Sequence, residues 1–311
     1  DMKNQGVEFS LNAQIIDTKD WKWSLSGNIG VNKSEITSLG MLPVNIGCLK
    51  DVIGYEGATL GDHFGTANVF LQGEAPGLFY GYVTQGIVQK EDITENGIKY
   101  IKQDGSVGYY QTVNKTTPVA GDVKYVDRNG DGVVDDNDRD IIGNPNPDFT
   151  YGFQTKVSWK SLSLSASFNG VQGRDILNVG NRYNNTPGTK SNNVTRKAFQ
   201  NMWTDENPSN LYPKSTFVVQ NMVMDRYVED GSYLRCSDIT LSYVLPAKWT
   251  NKIGIKNTSV YASVKNAFVI TDYSGYDPEV NSFAFDGLRP GVDMNSYPTP
   301  RSFVFGLNLT F

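Results

Sequence analysis

One stretch decides the fold class: residues 149–168 read FTYGFQTKVSWKSLSLSASF. Apolar or aromatic side chains alternate with polar ones in two successive runs, and only Lys160 and Ser161 separate the runs. Successive side chains of a β-strand point to opposite faces of its sheet. The period of two therefore predicts two antiparallel strands joined by a tight turn, each with one apolar and one polar side.

Alternation of the same kind recurs before and after this stretch. The other runs are 7–15, 21–31, 239–245, a less regular one at 259–270, and 303–311. We therefore expect an all-β chain of about eight to ten antiparallel strands. The last run stops on Phe311, whereas the termini of soluble domains usually fray into solvent. A closing aromatic strand of this kind is typical of outer-membrane barrels.

Composition excludes several classes of function. The chain has 28 Lys and Arg against 33 Asp and Glu, a net charge of −5, so no basic excess suits a nucleic acid. Cys48 and Cys236 are too few for a disulfide scaffold and lack metal-ligand spacing. The single histidine, His63, has no accompanying nucleophile motif, and no catalytic residue is predicted. No apolar run approaches the roughly 20 residues of a transmembrane helix.

Alternation alone does not say which side of the sheet is inside. In a soluble sandwich the apolar side meets a second sheet, whereas in a membrane barrel it meets lipid. Several runs have about nine to twelve residues, enough for a tilted strand to cross a bilayer. Long connections are expected near 32–77, 101–148 and 172–230, the last with a short helix near 193–203. Tight turns on one rim and long loops on the other favour the barrel.

Short segments along the chain also resemble one known family. They read NQGVE at 4–8, GEAPGLFYGY at 73–82, GDVKYVDRNGDG at 121–132, IGNPNPDF at 142–149, VEDGSYLR at 228–235, ITLSY at 239–243, GYDPEV at 275–280 and YPTPRS at 297–302. In this order they are similar to the SusC/RagA family, the TonB-dependent outer-membrane transporters of Bacteroidetes-type bacteria. The resemblance covers nearly the whole chain.

The resemblance implies a fold and a location. Members of the family have an antiparallel transmembrane β-barrel of about 22 strands with a plugged lumen. Residues 1–311 are then expected to form a C-terminal segment of such a barrel with long extracellular loops, while the plug domain and N-terminal strands are absent from this chain. The expected location is the outer membrane of a Gram-negative cell, in contact with its lipid.

The resemblance also implies a function and partners. The expected function is import of oligomeric nutrients, oligosaccharide or oligopeptide, with a SusD-like surface lipoprotein and energy from TonB. The remaining barrel and plug would be further partners, and TonB would contact the missing N-terminal part. No enzymatic activity is expected.

One loop has the spacing of a calcium site. Residues 127–138 read DRNGDGVVDDND, with glycine at loop position 6. Like charges crowded this closely repel unless a cation neutralises them. We expect a structural Ca²⁺ here, although a solvated acidic turn would also explain the sequence. The expected ligands are Asp127, Asn129, Asp131, the Val133 carbonyl, Asp135 and Asp138.

Substrate contacts are expected on the long loops, where aromatic rings can stack on sugars or pack on peptides. The candidates are Phe79, Tyr80, Tyr109, Tyr110, Tyr183, Trp203 and Tyr212. Packing within the loops is the alternative role for each of them. Two other functions stay open on the residues alone. One is a soluble, calcium-stabilised β-sandwich that binds carbohydrate, and the other is a barrel enzyme of the outer membrane.

Overall fold

The structure is a computed structural model that describes residues 1–61, 65–186, 193–215, 222–250, 255, 257–279 and 282–310. The strands in chain order are β1 (Met2–Asp17), β2 (Trp21–Ile36), β3 (Val44–Ile46), β4 (Leu49–Val52), β5 (Gly54–Glu56), β6 (Asn68–Leu71), β7 (Leu78–Gly81), β8 (Thr84–Ile87), β9 (Ile93–Thr94), β10 (Gly97–Ile101), β11 (Val107–Tyr110), β12 (Thr112–Val113), β13 (Val123–Tyr125), β14 (Val133–Val134), β15 (Asp140–Gly143), β16 (Phe149–Trp159), β17 (Leu162–Gln172), β18 (Asp175–Asn178), β19 (Val228–Asp230), β20 (Tyr233–Val244), β21 (Asn257–Thr271), β22 (Val292–Asp293) and β23 (Ser302–Thr310). The helices are α1 (Val179–Asn185), α2 (Arg196–Asn201) and α3 (Ala247–Thr250). Among the residues described, no helix is long and apolar enough to cross a membrane.

Seven long strands form one antiparallel sheet, in the order β1-β2-β16-β17-β20-β21-β23. We call this sheet the wall. The tight turn predicted at Lys160 and Ser161 is confirmed, since it joins β16 to β17. The short helix predicted near 193–203 is confirmed as α2.

The register of the wall aligns the apolar sides of its strands. Val157 pairs with Leu164, Leu164 with Leu241, Leu241 with Ala262, and Ala262 with Phe305. A slip of one residue would move a strand's whole apolar set to the other face, so this row fixes the pairing. One position along, Ser158, Ser163 and Ser242 form a polar row on the opposite face.

The apolar face of the wall is exposed. Val7 is 77% exposed and Phe305 is 80% exposed, although both are apolar. Large apolar side chains exposed on this face are Val7, Phe9, Leu11, Ile29, Phe153, Leu164, Leu241, Val260, Phe305 and Leu307. Because no second sheet of the described residues covers them, the soluble-sandwich alternative is wrong. The arrangement is that of a segment of a transmembrane barrel, as the alternation favoured.

The two rims of the wall differ. One rim carries the short connections 18–20 and 160–161 and the short helix α3. The other rim carries three long excursions, residues 37–148, 173–232 and 272–301. The expectation of tight turns on one rim and long loops on the other is confirmed.

The count of wall strands and the nature of the long loops differ from expectation. The wall has seven strands, not eight to ten, because the apolar runs between 37 and 148 do not return to it. Those runs pair with one another instead, as in the four-stranded sheet β15-β7-β6-β5. The described part of the first excursion is therefore built of short strands and is not structureless.

The three excursions pack together as one body. One hydrophobic core contains Phe79 of the first excursion, Leu177 and Val179 of the second, and Val292 of the third. Strand β22 also pairs in parallel with β18, which joins the third excursion to the second. The excursions thus form a folded cap at one rim of the wall.

Candidate functional site in the excursions

The acidic loop at 127–138 is organised by its own backbone. Asp127 accepts hydrogen bonds from the Gly130 amide at 2.6 Å and from the Gly132 amide at 2.8 Å. Both glycines have positive φ, +78° and +85°, a conformation that other residues rarely adopt. Asn129 and Asp131 accept in the same way from amides two residues ahead, those of Asp131 and Val133, at 2.9 Å each. The glycines of the motif therefore have the turn role that its spacing predicts.

Asp138 closes the loop from within. Its carboxylate accepts from the Arg128 amide at 2.7 Å and from the Asp135 amide at 2.8 Å, and the side chain is buried. Burial raises the pKa of Asp138 to about 6, against the lowering effect of these backbone hydrogen bonds. Asp138 thus holds the two ends of the loop together.

The fit of this loop to Ca²⁺ is incomplete as it stands. No group of three or more acidic, histidine or cysteine side chains in the described part of the chain is arranged to hold a metal ion. The carboxylates that would ligate are engaged with backbone amides and would have to reorient. Calcium binding by Asp127, Asn129, Asp131, Val133, Asp135 and Asp138 stays a prediction.

The acidic loop is attached to the core of the first excursion. The Tyr100 hydroxyl donates to the Asp127 carbonyl at 2.8 Å, and the Tyr82 hydroxyl donates to Asp136 at 2.9 Å. Burial, with Asp127 and Asp138 nearby, raises the pKa of Tyr100 to about 12. Both phenols therefore remain donors at neutral pH, and the loop is tied to two buried rings.

Three of the substrate candidates are core residues. Phe79, Tyr80 and Tyr110 are fully buried, in three different cores of the excursions. The Arg139 guanidinium lies 4.1 Å from the centre of the Tyr80 ring and donates to the Tyr80 carbonyl at 3.3 Å. Packing occupies their rings, as in the alternative role expected for them, and substrate contact by these three stays a prediction.

The other four candidates differ in accessibility. Trp203 is buried, and its indole N–H donates to Gln89 at 3.0 Å. Tyr109 is exposed on β11, while Tyr183 is half-buried and lies 5.0 Å from the Arg182 guanidinium. Tyr212 lines a cavity. The structure brings two of the four together, since the Trp203 amide donates to the Tyr212 carbonyl at 3.0 Å. Substrate contact by Tyr109, Tyr183, Trp203 and Tyr212 stays a prediction.

The cavity beside Tyr212 has a volume of about 340 Å³. It lies between α1, α2, the segment 210–213 and the helical turn Asp225–Tyr227. Its lining residues are Thr84, Gly86, Asn181, Asn185, Thr186, Lys197, Asn210, Leu211, Tyr212, Pro213, Arg226 and Tyr227. Strand β8 contributes Thr84 and Gly86. Sequence reasoning missed this cavity because its lining comes from five parts of the chain.

An ionic cluster joins the wall to the third excursion. Arg235 of β20 forms a buried ion pair with Asp277, and its Nε lies 3.0 Å from Glu279 without the geometry of a hydrogen bond. The Tyr233 hydroxyl donates to Glu279 at 2.6 Å. These residues fall in the VEDGSYLR and GYDPEV segments, so the resemblance marked them although no chemistry was predicted for them.

The two cysteines do not pair with each other. His63 lies outside the described residues. Cys48 and Cys236 are free thiols and do not form a disulfide with each other. Cys236 is buried on the wall, next to a β-bulge.

The chain is similar in sequence to several known proteins, although no family model matches it. TonB-dependent receptor P26 of Formosa agariphila is 30% identical over 319 residues, which cover 100% of this chain and 29% of that protein. TonB-dependent receptor SusC of Bacteroides thetaiotaomicron is 31% identical over 324 residues, covering 100% of this chain and 26% of that protein.

The fold has relatives among solved structures. A structure of the RagAB peptide transporter superimposes with a TM-score of 0.69 at 26% identity, covering 100% of this chain and 29% of that one. The chain thus spans less than a third of the length of the relatives it matches. By sequence and by the architecture of its wall, the chain belongs to the SusC/RagA family of TonB-dependent receptors.

Proposed function

We propose that this chain forms part of the wall and the outer loops of an active importer in the outer membrane. The observation that carries the proposal is the continuous exposed apolar face of the wall, with all three folded excursions at one rim. Such a face is stable against acyl chains, while the polar face suits a watery lumen. The names of the relatives, TonB-dependent receptors and a peptide transporter, support the same role.

The rest of a barrel has to complete the wall. Within the described residues β1 and β23 each have a neighbour on one side only, so the sheet has two open edges. A bilayer does not tolerate unpaired backbone groups at such edges. We infer that further strands, and a plug inside the lumen, are supplied by the remainder of the transporter.

The cargo in this proposal is an oligomeric nutrient, either a glycan or an oligopeptide. A SusD-like surface lipoprotein would cover the excursions, and TonB would supply the energy. The solved relative is named as a peptide transporter, which supports the peptide alternative for this chain. Catalysis has no part in the proposal, since the relatives are named receptors and transporters.

The test uses the full-length transporter in its own cell. Uptake of fluorescent glycan and oligopeptide pools is compared between the parent strain, a deletion strain and a complemented strain. The proposal expects uptake of one pool to disappear on deletion and to depend on the proton-motive force. Recovery of the native protein in the aqueous phase without detergent, or unchanged uptake on deletion, would overturn it.

A further inference from the structure

We propose that the cavity beside Tyr212 binds a carboxylate group of the cargo. This inference rests on the proposed import function. The carboxylate is either the C-terminus of an oligopeptide or the acid group of a uronic sugar.

The lining of the cavity is cationic and rich in hydrogen-bond donors. Lys197 and Arg226 line it, together with the amide side chains of Asn185 and Asn210, while the Asn181 amide donates to Glu229 at 2.8 Å. None of the lining residues is acidic, and neither cation forms a salt bridge with any residue that the structure describes. An anionic group can therefore meet two positive charges that no carboxylate of the described chain neutralises.

Arg226 is held in place with one donor group unused. Its Nη2 donates to the Leu211 carbonyl at 2.5 Å, which fixes the guanidinium at the wall of the cavity. Its Nη1 is shielded from solvent and has no hydrogen-bond partner among the described residues. A buried charged donor without a partner is unfavourable, and a carboxylate is the acceptor that matches the guanidinium geometry.

The nearest acid does not fill this role. Asp225 precedes Arg226, but both of its oxygens accept from the Thr84 amide at 3.1 Å, and the Thr84 hydroxyl donates to it at 2.6 Å. These three hydrogen bonds hold the Asp225 carboxylate against β8. Asp225 does not line the cavity, and its acceptors are engaged elsewhere.

One wall of the cavity forms where the 210–213 segment lies close to the backbone of β8. The Asn210 side-chain oxygen accepts from the Ile87 amide at 2.7 Å. Gly86 has φ +87°, and a side chain at this position would collide with Asn210. The glycine therefore lets the 210–213 segment lie against β8, which places Tyr212 and Arg226 in one cavity.

The size of the cavity favours a group at the end of a chain over a small free ion. A volume of about 340 Å³ is several times that of one carboxylate, and it has room for the terminal residue or sugar that carries it. The rings of Tyr212 and Tyr227 line the same space and can pack on that residue.

The test compares acidic and neutral cargo on the full-length transporter with its partner lipoprotein. One arm uses oligopeptides with a free C-terminal carboxylate or a C-terminal amide. The other uses uronic-acid oligosaccharides with free or methyl-esterified carboxyls. Affinity is measured for the parent protein, for Arg226→Gln, for Arg226→Lys and for Lys197→Gln. Lys50→Gln, an exposed cation outside the cavity, is the matched control.

We expect Arg226→Gln to weaken binding of the acidic form in one arm by roughly tenfold or more, as loss of a charge-assisted pair predicts. Arg226→Lys should show a smaller loss, and Lys50→Gln none. The neutral form should bind all variants alike, which also shows that they are folded. The arm that responds identifies the source of the carboxylate.

Several results would overturn the inference. One is an equal loss of affinity for acidic and neutral cargo in Arg226→Gln. Another is that the parent protein binds the acidic form no more tightly than the neutral form. The third is that inorganic phosphate competes with the acidic cargo more strongly than acetate does. In each case uptake by the parent protein still supports the proposed function. Absence of any cargo binding or uptake would instead reject the proposed function, and this inference with it.

Discussion

Arg235 and Asp277 form a buried ion pair that ties the wall to the third excursion, with guanidinium nitrogen and carboxylate oxygen 2.5 Å apart. Arg235 lies on β20, and Asp277 lies six residues beyond the end of β21 at Thr271. The Thr299 amide donates to the same carboxylate at 3.1 Å, so both ends of residues 277–299 meet at this point. The pair thus fixes how the excursion leaves the wall.

Removing one partner should release the third excursion. Asp277→Ala leaves the buried Arg235 with only the more exposed Glu279 as an acidic neighbour, and breaking a buried pair costs up to about 3–5 kcal/mol. We expect proteolysis within residues 282–296 of the folded, full-length transporter to become at least tenfold faster. Asp17→Ala removes the exposed partner of Lys22 and is the control. Equal protection in the Asp277 and Asp17 variants would contradict the role of the pair.

The pair should also respond to acid. Burial tends to raise the pKa of Asp277, but hydrogen bonds from the Glu279 and Thr299 amides and the charge of Arg235 outweigh it, so the pKa lies below its usual value. Its contribution to stability is therefore complete above the unfolded pKa, about 4, and is lost as pH falls through the lower folded value.

The measurement for this pH dependence is protection of the same segment by pulse proteolysis with an acid-active protease. Protection should be constant from neutral pH down to about pH 5 and should fall below about pH 4. Asp277→Asn cannot titrate at this position and should show a smaller change. A fall in protection between pH 7 and pH 5 that is absent in Asp277→Asn would mean that folding raises the pKa of Asp277. That result would contradict the prediction.

The apolar face of the wall predicts a strong asymmetry between neighbouring positions. Leu241 lies on the apolar face and Ser242 on the polar face of β20. Arginine facing lipid costs up to about 2–4 kcal/mol, whereas a lumen-facing one is tolerated. Leu241→Arg should therefore lower the unfolding free energy of the folded transporter, while Ser242→Arg should change it little. The check is urea unfolding in lipid vesicles, and equal effects would refute the assignment of faces.

Much of the wall could be predicted from the sequence because strand alternation is local. The bounds of β16, Phe149–Trp159, coincide with the run that the alternation marks, and β17 extends its run to Gln172. The excursions could not be predicted in this way. The run at 78–82 has strand-like residues, but it pairs with β6 and β15, not with the wall, and this depends on distant partners.

The site was harder to predict than the wall for a related reason. Tyr80 has the same chemistry whether it faces solvent or core, and it is buried by distant residues such as Ile46 and Val69. Arg139, which donates to its carbonyl, lies 59 residues further along the chain. The acidic loop was recognisable because its glycine and carboxylate spacing is local. The cavity lined by Lys197 and Arg226 had no such local signal.

Calcium binding by the acidic loop can be measured directly. If Ca²⁺ binds, it should compensate the repulsion among the carboxylates and raise the thermal stability of the purified transporter. Asp131→Asn should weaken the effect, while Asp104→Asn, an exposed acid outside the loop, should leave it unchanged. Isothermal titration after chelation gives the affinity. No heat and no thermal shift up to millimolar Ca²⁺ would reject the site.

The most direct test of the central claim measures what surrounds each face of β17 in the full-length transporter. Single spin labels are placed at residues 162–168, with Cys48 and Cys236 replaced by serine, and the protein is reconstituted in vesicles. We predict that oxygen dissolved in lipid relaxes the labels at 162, 164, 166 and 168, while a water-soluble nickel chelate relaxes those at 163, 165 and 167. Relaxation without a period of two, or with oxygen reaching only the serine positions, would contradict contact between the apolar face and lipid.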